Sequence, residues 1–175
     1  MLVTRSAAAP LRFDAQFIAQ RDRDVEREFR QVFPFLHLHS VVLEIGAGDC
    51  ALSRRLAGDA ERVYALDVCE DSMGRLGGPP NLVRRAHDGV RIPLPADSVD
   101  VAFSRHVVIS QLPGICHALK DGGVYLTTSP GPAAELRAAF MDAGFSAVRF
   151  HVGGLRVPFA LARALDDRFR IVAVK

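Results

Sequence analysis

Short apolar runs alternate along the chain with segments of helical periodicity. Seven runs of β-branched and apolar residues are bounded by glycine, proline or polar turns, which is typical of buried strands. They cover residues 41–45, 62–68, 81–86, 99–104, 124–129, 145–152 and 169–175. Helical segments are predicted at residues 13–33, 51–57, 70–76, 112–120 and 133–143. Strands that alternate with helices predict a mostly parallel sheet with helices on both faces.

The predicted fold class is therefore α/β, with a doubly wound, mostly parallel seven-stranded sheet of the Rossmann type. In such a sheet, ligands bind beyond the carboxyl ends of the strands. A chain of 175 residues is long enough for one domain with a sizeable core. We predict a disordered tail over residues 1–12 and a single domain over residues 13–175, which begins with a helical segment.

Composition narrows the functional classes. The net charge is only +2, and arginines alternate with acids, so we expect no nucleic-acid partner. No apolar run approaches the roughly 20 residues of a membrane span, and no secretory leader is evident. Cys50, Cys69 and Cys116 are odd in number and lack the spacing of metal ligands, which predicts reduced thiols, a cytoplasmic location and no metal site.

The segment VVLEIGAGDCALSRRLA, residues 41–57, joins the first strand to a helix through Gly46 and Gly48. Glycine allows positive φ there and leaves room for a ligand near the backbone. Gly46, Gly48 and Ala51 alone also fit the nicotinamide-type pattern G-x-G-x-x-A, and a tight turn without any ligand is a further alternative.

Two acids favour one kind of ligand. Glu44 lies near the end of the first strand, where a buried carboxylate needs a cation or a donor as its partner. Asp67 closes the second strand, in the position suited to a ribose diol. Together they favour an adenosine that carries a positive or zwitterionic group over a diphosphate, and S-adenosylmethionine meets this description.

Five successive motifs resemble those of class I S-adenosylmethionine-dependent methyltransferases. The segment 41–57 is similar to the first motif, V-L-E-I-G-x-G-x-G, and the resemblance continues to about residue 152. The other four are VYALDVCEDSM, HDGVRIPLPADSVDVAFSRHVV, ALKDGGVYLTTSP and ELRAAFMDAGFSAVRF. The likeness is to the small-molecule branch called type 11. It implies an antiparallel last strand, S-adenosylmethionine as cofactor and a quinone, sugar or lipid-like acceptor.

The resemblance also implies roles for individual residues. Gly46, Ala47 and Gly48 would pass under the methionine part of the cofactor, with Glu44 near its amino group and Asp67 on the ribose. The remaining expected cofactor contacts are Val68 and Gly89 at the adenine, Asp88 at its amino group, and Ser104 and Arg105 at the methionine. Asp88-Gly89 is also a common turn pair without any ligand.

The chain departs from the family pattern near the predicted catalytic residue and in the first motif. His106, just beyond the fourth strand, is the best-placed general base. Ser110 and Gln111 replace a common Glu-His pair, and Cys50 replaces the third glycine of the first motif.

The connections that normally form a substrate lid are short. We therefore expect a shallow site, a large substrate, lost catalysis, or a homodimer or partner protein that completes the pocket. Part of the missing wall would come from N-terminal phenylalanines, which are Phe13, Phe17, Phe29 and Phe33. The alternative to an enzyme is a non-catalytic methyltransferase-like module that binds the cofactor or a partner.

Overall fold

One eight-stranded sheet forms the centre of the protein. The computed structural model describes residues 15–73, 77–165 and 168–175, with the side chains of residues 15–17 and 168 left out. The strands are β1 (Val41–Ile45), β2 (Arg62–Asp67), β3 (Leu82–Ala86), β4 (Val99–Ser104), β5 (Leu119–Pro130), β6 (Ala147–Val152), β7 (Leu155–Val157) and β8 (Arg168–Val174).

The strand order is β3-β2-β1-β4-β5-β8-β6-β7. Strands β1 to β5 pair in parallel, and β8 lies antiparallel between β5 and β6. The predicted doubly wound sheet with an antiparallel last strand is confirmed. The prediction of seven strands missed β7, a three-residue strand that folds back on β6. Gly153 and Gly154, with φ of 56° and 89°, make the tight turn between them, and a turn of this kind favours glycine.

Helices cover the sheet on both faces. Within the described residues, the α-helices are α1 (Ala15–Val32), α2 (Ala51–Leu56), α3 (Leu112–Ala118), α4 (Ala133–Asp142) and α5 (Phe159–Ala162). On one face, α1 and α2 pack on strand residues such as Val42, Val101 and Leu126. On the other face, α3 to α5 pack on residues such as Leu43 and Tyr125. The apolar strand runs are buried because both faces are covered.

The boundaries differ slightly from those predicted. Helix α3 ends at Ala118, because the chain already enters β5 at Leu119. The helix predicted at residues 70–76 is a 3₁₀ turn over Glu70–Met73, and residues 74–76 lie outside the described residues. The predicted tail and Phe13 also lie outside them. In the described part of the chain, no helix is both long and apolar enough to cross a bilayer.

Candidate functional site

The turn after β1 has the backbone shape that its glycines predict. Gly46, Gly48 and Cys50 all have positive φ, at 74°, 50° and 58°. The third position is therefore one that favours glycine, which explains the family pattern and makes Cys50 a strained substitute. The amides of Gly46 and Ala47 donate to the Leu66 carbonyl at 2.8 and 3.0 Å, which fixes the turn to the end of β2. A Cβ on Gly46 or Gly48 would meet no atom within 4 Å, so the space beside this turn is open.

Glu44 is a buried carboxyl group beneath this turn. Its side chain accepts a hydrogen bond from the Ser53 hydroxyl on α2. Burial raises the pKa of Glu44 to about 8, although the Ser53 bond and the charge of Arg105 act in the opposite direction. The group is therefore mostly protonated at neutral pH, and a cation placed beside it would favour its ionised form.

Asp67 holds the opposite side of the turn. Its carboxylate accepts hydrogen bonds from the Gly48 amide at 2.7 Å, the Cys69 amide at 2.9 Å and the Ser72 hydroxyl at 3.2 Å. Burial alone would raise the pKa of Asp67, but these bonds outweigh it and hold the pKa below its usual value. Asp67 therefore remains ionised near neutral pH and shapes the glycine turn.

Glu44 and Asp67 share one face of two neighbouring strands. Glu44 pairs in register with Ala65, two residues before Asp67. Strand spacing and rise place their Cα atoms about 8 Å apart. The two acids are therefore close enough to contact one nucleoside-sized ligand at this edge.

An apolar surface lies next to Asp67. Val68 follows Asp67 directly and is 67% exposed, so its apolar side chain is accessible beside the glycine turn. A Cβ on Gly89 would approach the Val68 Cγ1 atom to 3.3 Å. Asp88 uses one oxygen, Oδ1, to accept bonds from the Val90 and Arg91 amides, which leaves Oδ2 for an external donor. The structure thus brings Asp67, Val68, Asp88 and Gly89 together.

Gln111 supports this region, and sequence reasoning assigned it no role. It is buried, and its side-chain amide donates to the Gly89 carbonyl at 2.7 Å. The departure from the family's Glu-His pair was its only sequence signal.

Ser104 is placed differently from the other predicted residues. Its hydroxyl lies 2.6 Å from the Tyr125 hydroxyl and 3.0 Å from that of Thr127, inside the sheet's other face, and donates to the His106 carbonyl at 2.9 Å. Burial raises the pKa of Tyr125. These hydroxyl groups satisfy one another, so the Ser104 side chain acts within the core.

Arg105 and His106 line a cavity of about 530 Å³ between α1 and the carboxyl ends of β4 and β5. Arg105 forms two hydrogen bonds to Glu28 of α1, with Nε–Oε1 at 2.8 Å and Nη2–Oε2 at 3.2 Å. His106 is exposed and faces this space. On the same helix, Arg21 pairs with Asp49 of the glycine turn at 2.8 Å.

The predicted phenylalanine wall forms only in part. Phe29 is 5% exposed and packs in the core, with the Arg55 guanidinium 3.4 Å above its ring, so it does not cover the cavity. Phe33 is half exposed and contacts Phe29. Phe13 and the side chain of Phe17 lie outside the described residues.

Sequence comparison links part of the chain to a known protein family. The sequence profile described as "Methyltransferase domain" matches residues 43–127, from β1 into β5. Over this segment, the chain is similar to the class I S-adenosylmethionine-dependent methyltransferases. This match and the methyltransferase neighbours described below imply S-adenosylmethionine as the cofactor, in agreement with the sequence prediction. A comparison with curated proteins returned no match.

Solved methyltransferase structures share the fold. An S-adenosylmethionine-dependent methyltransferase from Mesorhizobium loti superposes with a TM-score of 0.68 at 18% identity, covering 88% of this chain and 99% of that one. One from Aquifex aeolicus gives 0.63 at 21% identity, covering 93% and 98%. A Haloferax volcanii complex between the Trm112 methyltransferase activator and a methyltransferase gives 0.63 at 18% identity, covering 95% and 99%.

Proposed function

We propose that the protein transfers a methyl group from S-adenosylmethionine to a small-molecule, glycan-like or lipid-like acceptor in the cavity beside α1. One observation carries this proposal: Glu44 pairs in register with Phe103 of β4, and Phe103 lines that cavity. The cavity therefore adjoins the acid assigned to the amino end of the cofactor, which is the arrangement that methyl transfer between two bound molecules needs.

The residues at the glycine turn fit this cofactor. Glu44 is a buried acid that an ammonium group would pair with, and the turn leaves open space where a nucleoside can approach the backbone. The exposed side chain of Val68 offers an apolar surface for an aromatic base. A diphosphate, by contrast, would meet two acids at this edge.

Each predicted residue then has a defined part. Asp67 accepts hydrogen bonds from the ribose, and Asp88 accepts one from the adenine amino group through its Oδ2 atom. Val68 and Gly89 pack on the base, and the backbone of Gly46, Ala47 and Gly48 follows the methionine portion. The backbone of Ser104 and Arg105, at the end of β4, lies on the other side of the methionine portion.

In the mechanism, the cofactor supplies an electrophilic methyl group on a sulfonium. The protein aligns the acceptor and excludes water, and alignment alone can lower the barrier by about 7–11 kcal/mol. For a hydroxyl acceptor, His106 accepts the proton as the nucleophile attacks. Helix α1 forms the outer wall of the cavity through the Glu28–Arg105 pair.

The test couples binding to turnover. Calorimetry should detect S-adenosylhomocysteine and S-adenosylmethionine but not NAD, and a panel of hydroxyl-bearing acceptors should give S-adenosylhomocysteine as product. His106→Ala should slow turnover of a hydroxyl acceptor by about 10²–10⁴-fold with cofactor affinity unchanged. Equal turnover by wild type and variant would remove His106 from the mechanism.

A second protein chain completing this edge is part of the proposal. Val90, Val108 and Ile109 are 55%, 43% and 59% exposed on loops that follow β3 and β4, so a copy of this chain or another protein would bury apolar surface there. The Haloferax volcanii complex is a related example of a methyltransferase with a protein partner. Light scattering of the purified protein tests the homodimer: a monomeric mass at micromolar concentration would exclude it.

The second candidate is a non-catalytic binding module. It is supported by Gln111, which replaces an ionisable residue of the family pattern and is occupied by its bond to Gly89. Cofactor binding without turnover of any acceptor class would favour this candidate over the enzyme.

A further inference from the structure

A row of four polar side chains, three of them from arginine or histidine, crosses the part of the sheet formed by β5, β8, β6 and β7. In register, Thr128 of β5 pairs with Arg170 of β8, Arg170 with His151 of β6, and His151 with Arg156 of β7. Paired residues share a face, so these four side chains form one line about 14 Å long at the usual strand spacing. We call them the cross-strand row. Arg149 lies on the same face, two residues from His151.

The row adjoins the cavity already described. Its first member, Thr128, lines that cavity together with Arg105 and His106. Arg170 lines a second cavity of about 610 Å³ against α1, whose lining also includes Arg27. Arg27 lines the first cavity as well, so the two spaces adjoin at this residue. Both cavities therefore contact the row, the first at Thr128 and the second at Arg170.

The arginines of this row have no acidic partner among the described residues. Asp22 and Glu26 also line the second cavity, but they pair with arginines outside the row. An Arg170 Nη2 atom lies 3.2 Å from the His151 Nδ1 atom, while its buried Nε has no hydrogen-bond partner among the described residues. In the described part of the chain, none of Arg149, Arg156 and Arg170 forms an ion pair. Like charges on opposing strand positions destabilise a sheet.

The pKa of His151 is lowered by its surroundings. Burial lowers its pKa, and Arg170, Arg156 and Arg149 lower it further, whereas a backbone hydrogen bond with Gly154 acts in the opposite direction. The arginines around the first cavity differ, because Arg105 is paired with Glu28 and Arg27 with Asp24. Among the described residues, these arginines of the first cavity thus have acidic partners, whereas the arginines of the row have none.

We propose that the cross-strand row binds an anionic group of the phosphate class on the methyl acceptor, whose reacting atom lies in the first cavity. This inference rests on the proposed function and narrows the acceptor to an elongated anion. An oxyanion would accept charge-assisted hydrogen bonds from Arg170 and Arg156. It would also offset the repulsion among the arginines.

Inorganic pyrophosphate is the probe, followed by nuclear magnetic resonance and calorimetry on the full chain. We expect shifts in the amide signals of the row and a raised His151 pKa on binding. Arg156→Gln should weaken pyrophosphate binding by about tenfold or more. The matched control is Arg62→Gln, an exposed arginine of β2 outside the row, which should leave the affinity unchanged.

Three outcomes would overturn the inference. These are no binding at millimolar pyrophosphate, equal losses in Arg156→Gln and Arg62→Gln, or an unchanged His151 pKa. A single-stranded oligonucleotide or polyglutamate that binds the row about tenfold more tightly than pyrophosphate would replace the small anion with a macromolecular partner.

S-adenosylhomocysteine binding, measured separately, distinguishes this failure from failure of the proposed function. If S-adenosylhomocysteine binds and pyrophosphate does not, only the inference about the row is lost. If pyrophosphate binds and S-adenosylhomocysteine does not, the anion site remains and the methyltransferase proposal is lost.

Discussion

The two halves of the sheet differ in whether their charged groups have partners within the protein. Around β1 and β2, each acid has donors within the protein: Ser53 donates to Glu44, and Gly48, Cys69 and Ser72 donate to Asp67. Around β6, β7 and β8, three arginines surround His151, and none of them forms an ion pair among the described residues. The first half is a preformed cradle, whereas the second half lacks the counter-charge that a ligand would bring.

This contrast follows the family match along the chain. The matched segment ends at residue 127, before Thr128 and the rest of the row. The half that we assign to the cofactor is the half that the family pattern covers. The half that we assign to the acceptor lies outside the matched segment, and one fold can carry different functions through the residues placed on it.

The largest expected effect concerns Glu44, the buried acid of the first half. Its pKa rises from an ordinary 4.5 to about 8 on folding, so its contribution to stability is complete below about pH 4.5 and is lost as pH rises through about 8. Glu44→Gln keeps the acceptor for Ser53 but cannot ionise. We expect the variant to exceed wild type by several kcal/mol at pH 9 and to match it at pH 5, measured by denaturant unfolding.

Glu70→Gln is the control for that series, since Glu70 is an exposed acid at the start of the 3₁₀ turn after β2. It should follow the wild-type pH dependence. If Glu44→Gln also followed the wild-type curve, Glu44 would not be a buried neutral acid.

Asp67→Ala should have the next largest effect, on cofactor affinity. The change removes the proposed ribose acceptor and the bond to the Gly48 amide, and charged hydrogen bonds are worth about 1.5–3 kcal/mol each. Calorimetry should show at least about tenfold weaker S-adenosylhomocysteine binding. Asp71→Ala, at an exposed acid four residues later, should bind like wild type. Equal affinities in wild type and Asp67→Ala would remove the ribose assignment.

Much of the cofactor half could be predicted because its signals are local. The glycines, Glu44 and Asp67 follow from one strand, one turn and the next strand. Their partners could not be predicted, because Ser53, Glu28 and Gln111 reach the site only through packing of α2, α1 and the segment before α3. A serine or a glutamine in an amphipathic segment carries no sign of the residue it will contact.

The cross-strand row could not be predicted for a related reason. Arg149, His151, Arg156 and Arg170 are scattered over 22 residues of sequence, and each is unremarkable in its own strand. Only the insertion of β8 between β5 and β6 brings them into one line. Strand β7 was missed because three residues are too few for a pattern of alternation.

A smaller effect is expected at the boundary between the halves, where Glu28 pairs with Arg105. Glu28→Gln should destabilise the protein by about 1 kcal/mol, because the Glu28 side chain is only 12% exposed while Arg105, at 52%, can hydrate. Glu26→Gln, which breaks exposed pairs with Arg30 and Arg55, should cost less than about 0.5 kcal/mol. Thermal unfolding of both variants measures this difference. Equal losses would indicate that the Glu28–Arg105 pair is no more than a surface contact.

The smallest expected effect is the relief of repulsion in the row. Arg156→Gln should raise the His151 pKa toward its ordinary 6.5 and change stability by no more than a few tenths of a kcal/mol, in the stabilising direction. A proton titration by nuclear magnetic resonance measures the first change. An unchanged His151 pKa would mean that Arg156 lies too far away to belong to the row.

Proton release on cofactor binding tests the central claim most directly. If the cofactor's ammonium group pairs with Glu44, that acid must lose its proton when S-adenosylhomocysteine binds. Calorimetry at pH 7 in buffers of different ionisation enthalpy should then report the release of about one proton per molecule bound by the wild-type protein. The Glu44→Gln variant should release almost none. Binding without proton release by the wild-type protein would contradict the placement of the cofactor across Glu44 and Asp67.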